Sequence, residues 1–144
     1  MVSTYSCIIF MDIKEIYKNL LVNRYNNKKY YNNAIEFDYS TNVIRIASPN
    51  CSTRLVLKPT YENNNLINLE YALSGDMFAF VVTELIIDYL LTHNKEDNKQ
   101  YLSNCINKVD TDTEVDAVLN SNKQSISINK ILGYFNVFVN SYWS

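Results

Sequence analysis

The stretch Ala34-Ile35-Glu36-Phe37-Asp38-Tyr39-Ser40-Thr41-Asn42-Val43-Ile44-Arg45-Ile46, with Leu55-Val56-Leu57 beyond it, decides between two folds for this chain. Ile35, Phe37 and Tyr39 alternate with polar neighbours, the period of a half-buried strand. Val43-Ile44-Arg45-Ile46 and Leu55-Val56-Leu57 are short and β-branched, with turn residues at Ser40-Thr41-Asn42 and Ser48-Pro49-Asn50. Read locally, residues 34–59 are strands. The helical alternative needs short helices broken before Pro49 and Pro59. Thr60 to Leu73 is open in the same way. A helix capped by one of the asparagines at 63–65 would put Leu66, Leu69 and Leu73 roughly on one face. Strands there would extend a meander over 34–73.

The next segment, Ser74 to His93, reads as the helix that the rest of the chain must wrap. Between Met77 and Leu91 only Thr83, Glu84 and Asp88 are polar. A helix apolar on nearly every face is a buried one. It is too short and too charged to span a membrane, which takes ~20 mostly apolar residues. Ser74 can cap its start, and Asp76 would sit in the first turn, where a carboxylate suits the helix dipole. Glu84 and Asp88 share one narrow face. They form either its solvent edge or a buried, hydrogen-bonded pair.

Working outward, Ile13, Ile16, Tyr17, Leu20 and Leu21 give an amphipathic helix over Asp12 to Val22. Cys7 to Met11 extends it or forms a short strand. Asn23 to Asn33 reads as helix end and loop, and His93 to Asn98 as a charged loop. Tyr101, Leu102, Cys105, Ile106 and Val109 mark another amphipathic helix. Thr111 and Glu114 fit a capping box before a short helix over Val115 to Leu119. Ile128 to Tyr142 carries a last helical face, with Gly133 as a candidate break.

At 144 residues the chain is one domain, residues 1–144, long enough for a true core. A net charge of −2 argues against a nucleic-acid binder, which usually shows a basic face. Arg24, Lys28 and Lys29 form the one small basic cluster, and a solvated loop explains it better than a phosphate site. Three widely spaced cysteines (Cys7, Cys51, Cys105) give no disulfide framework and point to a reducing compartment. Cys7 to Met11 lacks the features of a signal peptide, and no membrane-spanning segment follows. The lone histidine, His93, reads as a helix-end residue. No zinc spacing, phosphate-binding loop or nucleophile elbow occurs, so the chain reads as non-enzymatic and without a cofactor. The abundance of Asn, Tyr, Ile and Lys hints at an AT-rich genome, such as some large DNA viruses have.

Two segments are similar to motifs of the B-cell lymphoma 2 (Bcl-2) family of apoptosis regulators. The family's first homology motif runs roughly Asn-Trp-Gly-Arg-x-x-Ala-Phe and opens a buried central helix. Leu73-Ser74-Gly75-Asp76-Met77-Phe78-Ala79-Phe80 keeps its glycine, alanine and phenylalanine. The second runs roughly Gly-Gly-Trp-x-x-Phe-Val-x-x-Tyr-Gly. Gly133 to Trp143 keeps a glycine, an aromatic at the tryptophan position, Phe138-Val139 and Tyr142. The chain departs from the pattern at the motif arginine, which is Asp76, and at the tryptophan before the glycine, which is Ser74. No third homology motif stands out in 34–59.

The resemblance implies an all-α, Bcl-2-like helical bundle around the central helix, with the strand meander at 34–73 as the α+β alternative. It implies an inhibitor of apoptosis, a viral protein acting on its host, that sequesters the BH3 helix of pro-apoptotic host proteins in an apolar groove. By carry-over Ile67, Leu73, Gly75, Phe78 and Ala79 line the groove, Tyr142 closes one end and Asp76 sits at the arginine position. A homodimer is compatible with this. The implied location is the host cytoplasm, with association to mitochondria. Two other functions stay open: a Bcl-2-fold inhibitor of host inflammatory signalling, and an α+β chaperone-like interaction module.

Overall fold

A computed structural model describes residues 13–47, 53–106 and 126–143. Four α-helices occur among the described residues: α1 (Ile13–Asn26), α2 (Met77–Thr92), α3 (Lys95–Ile106) and α4 (Ile126–Val137). Three strands, β1 (Ile44–Ala47), β2 (Arg54–Glu62) and β3 (Asn65–Ser74), form an antiparallel sheet in the order β1-β2-β3. A 3-10 turn (Asn33–Phe37) precedes the sheet, and a π-helical turn (Phe138–Tyr142) follows α4. The fold is α+β, so the expectation of an all-α, Bcl-2-like bundle is overturned.

The reason lies in β2 and β3. Leu55 and Leu57 alternate with Arg54, Val56 and Lys58, and pair across the ladder with Leu73 and Tyr71. The helical spacing of Leu66 and Leu69 has a strand origin. The register shifts between Thr60 and Tyr61: Tyr61 pairs with Leu66 and Thr60 with Asn68, which leaves Ile67 as a bulge residue. A bulge adds one residue to the period of two. Both Leu66 and Leu69 therefore face inward, three apart, as they would on a helix.

The asparagines before them cap no helix. Asn63 and Asn64 have φ of 52° and 67° and form the tight turn of the β2–β3 hairpin. Two-residue hairpin turns of the kind that matches strand twist need positive φ at both positions, and Asn tolerates it. Replacing Asn64 with valine is therefore expected to cost about 1–2 kcal/mol, and with glycine to cost nothing. Thermal unfolding of the two variants checks this, and equal losses would refute it.

The central helix is present as read. α2 buries Ala79, Val81 to Ile87 and Leu90 between the inner face of the sheet and the other helices. Its cap differs from expectation: Asp76, not Ser74, is the N-cap, and its carboxylate accepts the Ala79 N–H at 3.0 Å. His93 follows its last turn, stacked on Tyr89 with ring centroids 3.7 Å apart, and Tyr89 stacks on Tyr101 of α3 at the same distance. The charged loop expected at 93–98 is mostly helix. Asn94 accepts the Asp97 N–H at 2.8 Å, and buried Asn98 donates to the Leu90 and His93 carbonyls.

Gly133 does not break α4, and the backbone departs from α geometry only at Phe138, where it widens into the π-helical turn. Phe135, Phe138 and Val139 are buried. Cys7 to Met11, Cys51 and the capping box at Thr111 to Glu114 lie outside the described residues. No helix among the described residues is long and apolar enough to cross a membrane.

Candidate functional site

The seven residues that the resemblance singles out fall into two groups. Leu73, Gly75, Asp76, Phe78 and Ala79 lie together where β3 turns into α2. Gly75 is exposed, and a Cβ placed on it would stand 3.1 Å from the Ala79 Cβ. Its role here is to let the turn close over buried Ala79. Asp76 is occupied as the helix cap, and Leu73 and Phe78 are half-buried against the core. Ile67 and Tyr142 are elsewhere. Leu73 is six residue steps along the strand from Ile67, about 20 Å. Tyr142 stands beside the hairpin turn, where its carbonyl accepts the Tyr61 hydroxyl at 3.3 Å and the indole of Trp143 reaches the Asn64 carbonyl at 3.5 Å. Ile67 and Tyr142 are each about half exposed.

The two readings of Glu84 and Asp88 divide between them: Glu84 is buried, Asp88 lies at the solvent edge, and both are hydrogen-bonded. Glu84 is fully buried. Its carboxylate accepts the backbone N–H groups of Lys29 (2.6 Å) and Tyr30 (3.1 Å) and faces Arg24 at 3.6 Å. Asp88 pairs with Arg24 at 2.5 Å, accepts the Tyr30 hydroxyl at 2.5 Å and has Lys29 at 4.0 Å. Two members of the basic cluster are thus tied to α2 and are not a solvated loop. The segment they hold in turn bonds β3: Asn32 N–H donates to the Tyr71 carbonyl and Tyr71 N–H to the Tyr30 carbonyl. The cluster is a latch that seals the outer edge of β3.

Burial, and then the bond to Asp88, push the Tyr30 phenol up from 10.0 to about 12. A raised folded-state value means that the unfolded chain loses this proton first. The contribution of Tyr30 to stability is therefore complete below about pH 10 and is lost as the pH rises through about 12. Tyr30→Phe is expected to flatten the fall in stability over that window, as read by urea unfolding at stepped alkaline pH. An unchanged slope would refute the assignment. Tyr71 behaves differently. Burial raises its phenol strongly, and Glu84 adds to that, yet the hydroxyl meets no partner in hydrogen-bond geometry. Tyr71→Phe is expected to be neutral or to stabilise by up to ~1 kcal/mol, because it removes an unsatisfied buried group. A loss of that size in urea unfolding would instead show the hydroxyl bonded to Glu84.

The opposite face of the sheet is only partly covered. Val56 and Ala72 are its apolar centre, and Ile35 and Val43 cover part of them. Beside that cover lies an open hollow of about 330 Å³. Arg45, Arg54 and Glu36 give it a charged rim, and Val56 and Ala72 form its apolar floor. Two aromatic residues stand next to this face in solvent: Phe37 is 70% exposed and Tyr39 81%.

The segment that carries them is pinned. The Asp38 carboxylate accepts the Ser40 N–H at 3.0 Å and pairs with Lys58 of β2 at 3.3 Å, while the Asp38 carbonyl accepts Arg45 Nη2 at 2.7 Å. These contacts, those to Ser40 first, hold the Asp38 carboxyl down at about 2. Arg45 lies 4.4 Å from the Tyr39 ring centroid. The alternation of Ile35, Phe37 and Tyr39 had pointed to a strand with all three inward; only Ile35 is. The legible signal was Asp38 two residues before Ser40, the spacing of an Asx turn.

Comparison with known proteins bears on the fold and not on the chemistry. No protein-family model matches the chain, and no curated protein matches it. The chain is similar to a crystal structure described only as that of a hypothetical protein, with a TM-score of 0.67 and 9% identity over 88% of this chain and 98% of that one. It is also similar to a putative iron–sulfur cluster assembly scaffold protein of the SUF system from the thermophile Fervidobacterium islandicum AW-1, with a TM-score of 0.49 and 12% identity over 93% and 84% of the two chains. The first likeness shows that another chain adopts this arrangement of sheet and helices. Among the described residues no group of three or more His, Cys, Asp and Glu side chains is placed to hold a metal ion.

Proposed function

We propose that the chain is a non-enzymatic α+β interaction module that docks a partner protein on the outer face of its sheet. The observation that carries this reading is the exposure of Phe37 and Tyr39 on a segment that Asp38 fastens to β2. Exposed aromatics on a tethered loop give contact area at little ordering cost, and Tyr and Arg are the residues enriched where binding energy concentrates. Arg54 has no ion-pair partner among the described residues. The partner that fits is a segment with an apolar anchor for the hollow and a carboxylate for Arg54.

Selection from a displayed random-peptide library tests this. Enriched peptides should combine acidic and apolar residues. Phe37→Ser/Tyr39→Ser should lose ~30-fold or more in affinity, the scale of two hot-spot residues, while its circular dichroism stays unchanged. Enriched peptides that bind the double variant as well as the parent would place the site elsewhere.

A second reading, capture of a pro-apoptotic helix in a host cell, rests on the motif spacing at Gly75, Ala79 and Phe80 and at Phe138, Val139 and Tyr142. Titration with fluorescent BH3 peptides tests it. Saturation below about micromolar supports it, and no saturation removes it.

A further inference from the structure

Lys28 has neighbours unlike those of Lys29. Its ammonium stands 3.9 Å from the ring centroid of Tyr25, 5.2 Å from that of Phe80 and 5.7 Å from that of Tyr31. Lys29 approaches Asp88, but among the described residues Lys28 has only rings for company. The rings form walls and not a stack. Tyr25 meets Phe80 at 83°, and Tyr31 meets Phe80 at 71°, with centroids 5.7 Å and 5.5 Å apart. This is a three-sided aromatic box around a cation.

The box is built into the fold. Phe80 comes from α2, and Tyr25 from the end of α1. Tyr31 is held by the parallel bridge to Tyr71 and by ring contact with Tyr71 at 5.5 Å. Nearby charges cancel, with Arg24 and Lys29 facing Glu84 and Asp88. Each wall also has a ring contact that does not involve the lysine: Tyr25 and Tyr31 each meet Phe80, and Tyr31 meets Tyr71.

We propose that Tyr25, Tyr31 and Phe80 form a binding site for a methylated ammonium group, and that Lys28 fills this site as a displaceable internal occupant. The chemistry favours exchange. A primary ammonium is strongly hydrated and gives up water to enter an aromatic box, whereas a quaternary ammonium carries the same charge on an apolar surface, and aromatic cages are the recurring means of binding it. Lys28 is half-buried on a flexible four-carbon stem, so it can swing into solvent. The site is on a different part of the molecule from the outer face of the sheet and stands independently of that reading. The group it takes comes either from a trimethylated lysine of a protein or from a choline.

The test uses the full chain, its Lys28→Ala and Lys28→Gln variants, and ring-proton NMR. Choline chloride is the probe, and 3,3-dimethyl-1-butanol is its uncharged isostere. Choline should give saturable shifts on the rings of Tyr25, Tyr31 and Phe80. Both variants should bind it about two- to fivefold more tightly than the parent, the factor that losing an exposed cation–π competitor carries. The isostere should bind at least about tenfold more weakly than choline. Adding Tyr31→Leu to Lys28→Ala should remove the shifts. No saturable shift in either folded variant overturns the proposal. So does equal binding of choline and the alcohol, which would make the box a plain apolar pocket. A trimethyllysine peptide that binds more tightly than both its unmethylated form and choline assigns the group to a protein, and the reverse order assigns it to a choline.

Discussion

Glu84→Ala should lose about 3–5 kcal/mol of folding stability, the range for removing one partner of a buried ion pair. The carboxylate is fully buried and accepts two backbone N–H groups besides facing Arg24. Alanine leaves both N–H groups without an acceptor, and hydrogen bonds to a charged group carry about 1.5–3 kcal/mol each. Arg24 suffers less, because Asp88 still holds it at 2.5 Å. The loss is therefore mainly that of the loop latch. The double variant Arg24→Met/Glu84→Leu separates the two contributions. Replacing a buried ion pair by apolar residues is often neutral, but here the N–H groups of Lys29 and Tyr30 stay orphaned, so the double variant should recover less than half of the loss. Full recovery in urea unfolding at constant m would make the ion pair, and not the latch, the stabilising element. Hydrogen exchange gives a second reading. With the latch open, the Tyr71 N–H loses its bond to the Tyr30 carbonyl and should exchange faster than its neighbours in β3.

What the sequence discloses about this fold depends on whether a signal is local. α2 was legible because its apolar residues need no partner to be recognised: a helix apolar nearly all round must be buried wherever the rest of the chain goes. The pairing of Glu84 with the 29–30 segment was not legible, since a sequence separation of 54–55 leaves no periodic trace. β3 misled for a stated reason. Its bulge at Ile67 converts the strand period into a three-residue step between Leu66 and Leu69, and that step matches a helix face. The resemblance put Ile67 and Leu73 in one groove, although the strand sets them about 20 Å apart. On the outer face, Phe37 and Tyr39 followed an apolar alternation, but the short polar residues that follow fold the chain back on itself through Asp38 and leave both rings outside. Lys28 was counted with Arg24 and Lys29 because the three are neighbours in charge and in sequence. Its aromatic box draws on α1, the loop and α2, and only the assembled fold brings these together.

Phe135→Ala should cost about 3–5 kcal/mol, the usual range for emptying a fully buried phenylalanine site. Val137→Ala, two residues along the same helix, should cost no more than ~0.5 kcal/mol, as surface changes do. Phe135 is 0% exposed and Val137 is 43% exposed. α4 packs against both α2 and α3 and Phe135 is part of the main core, so the close-packed surroundings keep a cavity there from collapsing fully. For a domain whose whole stability is of order 5–15 kcal/mol, the first change removes about a fifth of the margin or more. The contrast also tests the resemblance at its most specific point. In the second homology motif the aromatic at 135 and the Phe-Val pair at 138–139 were assigned by analogy, and their burial here needs no partner: Phe138 and Val139 close the core together with Trp143. If those residues serve packing alone, Phe135→Ala destabilises without altering peptide affinity in the fraction that remains folded. A variant that kept its melting temperature but lost peptide binding would return this helix to the binding surface and show that the motif carries function after all.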